Sequence, residues 1–192
     1  MTVPGVVQSR AVFFLLLAIW LAGIAACVVV AVRDPELALR HPAVTGSAAL
    51  TVGWMILGWA AMRRGEWLAR WIWTFGFAIL LVHLGFAFGL AHGWSHAAAV
   101  EHVRDVGGVG AGIAVNYLFA VVWCLDVVWW WTAPRAHAER SGWITGAIHG
   151  FLAFVVVNAA VVFGPGERRL AYGLMLIVLA VFVGRGPQSA PR

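Results

Sequence analysis

Apolar runs separated by short polar or proline-bearing breaks dominate the chain, at residues 11–31, 44–62, 71–90, 113–131, 143–163 and 170–183. At a helical rise of about 1.5 Å per residue, the longer runs match the roughly 30 Å hydrocarbon thickness of a bilayer. The pattern predicts an all-α polytopic membrane bundle: one membrane domain over residues 1–192, about six transmembrane helices, and both termini on the same side. The last run is short for a full crossing and needs arginine snorkelling or local thinning to span. The tail from Gly184 to Arg192 reads as disordered.

The breaks carry most of the polar residues. Asp34-Pro35-Glu36 and Arg40-His41-Pro42 bracket the first linker, and Arg63-Arg64-Gly65-Glu66 the second. Ile24-Ala25-Ala26-Cys27 resembles the lipobox of bacterial lipoproteins, but Val28 to Val32 stay apolar after the cysteine, so the segment reads as a span. Gly85 and Gly89 have the spacing that lets two helices approach closely. The glycines at 107, 108, 110 and 112 lack the strand and the Lys-Ser/Thr ending of a phosphate loop, and read as flexible or close-packed backbone entering a span.

Composition agrees with the pattern: 62% hydrophobic and 11% charged residues leave too little polar surface to coat a soluble globule. The formal charge of +5 comes from thirteen arginines and no lysine, spread singly or in pairs. That spread sets topology and does not form the basic stripe a nucleic acid needs. With six spans, eight arginines fall on the side of the termini and five on the other. The positive-inside bias then puts both termini in the cytoplasm and turns His41, His92, His96 and His102 outward, to the periplasm of a bacterial inner membrane. Cys27 and Cys124 fall in opposite halves of the membrane, out of reach of a disulfide.

Two groups of polar residues carry candidate chemistry. His92 and His96 stand four apart, about 40° apart on an ideal helix, a geometry in which two imidazoles grip one metal ion. Glu101 and Asp105 repeat the spacing, and His102 lies about 80° from His92 if the helix continues. Imidazole with carboxylate suits copper, zinc or iron. The same segment also reads as an interfacial amphipathic helix.

The second group lies inside the spans, where ionisable residues are expensive and mark function by default. His83, Asp126 and His149 are its titratable members. Residues at equal depth on an antiparallel hairpin have a nearly constant sum of residue numbers; Asp126 with His149 gives 275, and Asn116 with Asn158 gives 274. Asp126 and His149 are therefore expected to meet, and the two asparagines to bond across the same hairpin. His149 and Asn158 point to opposite faces of a straight helix, so only one pair aligns well unless the helix bends.

The first functional expectation is a transition-metal site (copper, zinc or iron) formed by His92, His96 and His102 with Glu101 or Asp105. The second is a haem-b electron carrier with His83 and His149 on different spans clamping the porphyrin. A third is an accessory subunit packing on other membrane subunits or on a second copy of itself, and a fourth is proton transport through His83, Asp126 and His149.

Overall fold

The structure, a computed structural model, describes residues 4–35, 41–63 and 66–162. All regular structure among them is helical: α1 (Pro4–Arg33), α2 (Pro42–Ala61), α3 (Glu66–Phe86), α4 (His96–Gly107), α5 (Ile113–Thr132), α6 (Pro134–Ala138) and α7 (Gly142–Val162). A π turn, Ala87–Ala91, prolongs α3, and a 3-10 turn, Gly110–Gly112, leads into α5.

Five helices among the described residues are long and apolar enough to cross a membrane: Arg10–Arg33, Pro42–Ala61, Trp67–Ala91, Gly110–Thr132 and Gly142–Ala159. They coincide with the first five apolar runs to within a few residues. The sixth expected span, 170–183, and the tail from Gly184 lie outside the described residues.

Local chemistry sets the boundaries. Pro42 occupies the first turn of α2, where its missing N–H costs nothing, and the His41 ring caps that turn by accepting from the Ala43 N–H. Ser95 caps α4 by accepting from the Ala98 N–H, and Gly108, at φ 79°, closes it in the left-handed conformation. Ala133 leaves the helical region ahead of Pro134 and ends α5.

The core is aromatic and lies between α2, α3, α5 and α7, where Trp54, Met55, Ile72, Trp73, Trp123 and Leu152 are buried. Backbones come closest at Gly58 and Gly76: an added Cβ would sit 2.7 Å from the Trp73 ring at the first and 2.9 Å from the Trp123 ring at the second. Gly85, expected at such a contact, has open space beside it, and Gly89 packs on Trp94 of its own connecting turn. Helix α1 lies outside the core. Its Trp20 indole donates to the Phe75 carbonyl, while Phe14, Leu15, Ile19 and Leu21 are exposed along its length, as suits a lipid-facing helix. Cys27 is buried within this unbroken helix, its sulfur facing Gly46 of α2.

Because the helices alternate in direction, α4, the end of α1 and the start of α2 share one end of the bundle. The end of α2, the start of α3 and α6 share the other.

Candidate functional site

At the α6 end a carboxylate is sealed inside the bundle. Asp126, its side chain wholly buried, accepts from the Trp73 indole at 2.9 Å, from the Arg140 guanidinium and from His137 Nε2 at 3.3 Å. The short helix α6 folds back to bring these donors in: His137 stacks on Trp130 with ring centroids 4.6 Å apart, and Arg140 lies over Trp129. Arg140 also donates to Thr145 at 3.0 Å, and its second terminal nitrogen lies 3.1 Å from His149 Nε2. Asp126 and His149 thus share one guanidinium between them.

His149 is hemmed in on both sides. Its Nδ1 receives the Trp59 indole N–H at 3.0 Å, and its Nε2 faces Arg140. Neither neighbour can accept, and a neutral imidazole has a single ring lone pair. As placed, His149 offers no open nitrogen to an iron, so a haem clamped between His83 and His149 does not fit this arrangement.

His83 sits apart from that cluster. Its Nδ1 lies 3.1 Å from the Val44 carbonyl and 3.2 Å from Ser47 Oγ, both on α2. A carbonyl only accepts, so Nδ1 carries the ring proton and Nε2 keeps the lone pair.

At the α4 end the expected pairing of histidines is replaced by another. His92 lies in the turn that ends α3, and the chain then passes through Gly93 at φ 56° and Trp94 at φ 61° before α4 begins at His96. One continuous helix does not run from His92 to His96, so their four-residue spacing carries no shared face. His92 instead approaches His102, ring centroids 5.4 Å apart, while His96 Nδ1 lies 2.8 Å from the Tyr117 hydroxyl on α5. Glu101 and Asp105 are exposed. Among the described residues no group of three or more His, Cys, Asp or Glu side chains is placed to hold one metal ion. Burial, with His102 beside it, lowers the His92 pKa below its ordinary value.

Between these groups the helices border a half-open cavity of about 380 Å³. Its walls come from α2 (Thr45, Ala48, Thr51), α3 and its π turn (His83, Leu84, Phe88), α5 (Asn116, Tyr117, Phe119) and the end of α7 (Val155, Ala159). His92, Ala99, His102 and Val103 line it at the α4 end. None of its described lining residues is Asp, Glu, Lys or Arg. Asn116 and Asn158 are both exposed, and among the described residues no hydrogen bond joins them.

Comparison with protein-family models, with curated proteins and with solved structures finds no match for this chain.

Several residues of both groups escape a reading of the sequence. Arg140 and His137 look like ordinary loop residues, and only the need of a buried carboxylate for a counter-charge signals them. Trp59 and Trp73 read as interface or core aromatics, although a buried indole N–H seeks an acceptor. Ser47 and Tyr117, partners of His83 and His96, carry no sequence signal at all.

Proposed function

We propose that this is an integral membrane binding protein that receives a small, uncharged, largely apolar molecule in the cavity beneath α4, with that end facing the outside of the membrane. The cavity itself carries the reading. At about 380 Å³ it falls within the roughly 300–1,000 Å³ of small-molecule sites, and it joins an apolar wall to a few fixed polar groups. An ionised ligand would lose its hydration there without meeting a counter-charge.

The arginines support an orientation: among the described ones, Arg10, Arg63, Arg70, Arg135 and Arg140 lie toward the α6 end, against Arg33 and Arg104 at the α4 end. The positive-inside bias puts the α6 end in the cytoplasm and, in a bacterial inner membrane, the α4 end at the periplasm.

Hexylbenzene tests the reading without any polar group. Added to the protein in detergent at about 100 times its dissociation constant, a ligand that binds only the folded state stabilises by about 2.7 kcal/mol. A rise in thermal midpoint that saturates with concentration is expected, and Ala48→Phe, which fills the cavity from α2, should abolish it. A rise that survives the filling substitution, or none in the wild type, sinks the proposal.

The approach of His92 to His102, 5.4 Å between ring centroids, favours a second reading in which these two imidazoles grip a copper, zinc or iron ion at the cavity mouth. Its test is metal content after dialysis against each ion. Retention in the wild type and loss in His102→Ala supports it, and no retention in the wild type excludes it.

A further inference from the structure

We infer that the molecule held in the cavity is a hydrogen-bond donor, an uncharged alcohol or phenol with an apolar body, because the polar groups on the α2–α3 wall offer lone pairs and no spare protons. The inference rests on the cavity being a ligand site.

Each proton on that wall is already committed to backbone. The Thr45 hydroxyl donates to the Pro42 carbonyl at 3.3 Å, and the Thr51 hydroxyl to the Ser47 carbonyl at 2.9 Å. Ser47, behind them, donates its own hydroxyl to the Ala43 carbonyl at 2.7 Å. The His83 ring proton points to Val44, leaving Nε2 as an acceptor on the opposite edge of a ring that lines the cavity.

Thr45, Thr51 and His83 line the space, and the hydrogen-bonding capacity left on their polar atoms is for accepting. A ketone or ether laid against this wall sets lone pair against lone pair and finds a donor only on the other walls, such as the Asn116 amide, so the α2–α3 groups stay unpaired. Buried polar groups left unpaired penalise the wrong ligand more than an apolar mismatch does. A cation would satisfy the acceptors, but no described lining residue is a carboxylate to balance its charge. A hydroxyl meets the wall with its proton. Its own oxygen can accept from Asn116, on the α5 side of the same cavity.

The experiment compares 4-hexylphenol with 4-hexylanisole, in which a methyl group replaces that proton, by thermal shift and tryptophan quenching on the full chain in nanodiscs. The phenol is expected to bind about tenfold tighter, on the scale of one net hydrogen bond. The ratio should fall toward one in Thr51→Val, which keeps the side chain's shape, and in His83→Phe. Farnesol, an alcohol that partitions into the bilayer, separates the two sources. If it displaces the phenol, the donor arrives from the membrane; if the phenol binds and farnesol does not, it arrives as a solute. Equal binding of phenol and anisole overturns the inference while leaving the cavity a site. Binding of neither overturns the reading of the cavity and this inference together.

Discussion

The two ends of the bundle handle polar groups in opposite ways. At the α6 end a buried carboxylate collects an arginine, a histidine and an indole N–H, and α6 closes over them. At the α4 end a cavity is bordered by threonine, histidine, asparagine and tyrosine, none of them formally charged. A saturated network has little to offer a ligand, and its loss is felt in folding. Polar groups with hydrogen-bonding capacity left over, beside a cavity, are what the proposed ligand site would use.

The contrast breaks most visibly at Asp126. Asp126→Ala leaves Arg140 buried without its partner, so the α6 end should lose about 3–5 kcal/mol of stability, read as denaturant or thermal unfolding in detergent. The double variant Asp126→Asn with Arg140→Met removes both charges and should cost less than the single change. If the two cost the same, the network is not held by that pair.

Next in size is the packing that supports Trp73, the indole that donates to Asp126. A Cβ at Gly58 falls 2.7 Å from the Trp73 ring, which is fully buried. Gly58→Ala should therefore cost about 1–3 kcal/mol, whereas Gly85→Ala, beside open space, should be close to neutral in the same assay.

A smaller, pH-dependent effect belongs to the α4 end. The folded-state pKa of His92 lies below its ordinary value of 6.5. As pH falls through that value the unfolded chain takes the proton first, so folded stability drops until the folded-state pKa is passed. Unfolding midpoints measured between neutral and mildly acidic pH should show this slope in the wild type and less of it in His92→Gln. An equal slope in both assigns the titration to another group. The smallest effect is expected at Asn158, exposed on α7: Asn158→Ala should stay within about 0.5 kcal/mol of wild type.

Much of the architecture was legible in the order of residues, because crossing a bilayer demands long apolar helices and leaves few alternatives. The five described spans, and the shared depth of the segments around Asp126 and His149, follow from that demand and from hairpin numbering. The rest depends on tertiary geometry. Arg140 joins Asp126 to His149 only because the loop after Pro134 folds inward, and nothing in the loop's composition distinguishes inward from outward. The four-residue spacing of His92 and His96 implies a shared face only on an unbroken helix. The positive φ values at Gly93 and Trp94 end that helix and redirect His92 toward His102. The cavity has no linear signature, since its walls come from helices far apart along the chain.

Photo-crosslinking tests the central claim most directly. A diazirine-bearing alkylphenol, illuminated with the protein in nanodiscs and located by peptide mass spectrometry, should label the lining segments 44–52, 83–92 and 113–119 and be displaced by excess 4-hexylphenol. Labelling that falls mainly on the exposed face of α1 around Leu15 and Ile19, or that excess phenol does not displace, would show a greasy surface meeting a greasy probe and contradict a ligand site in the bundle.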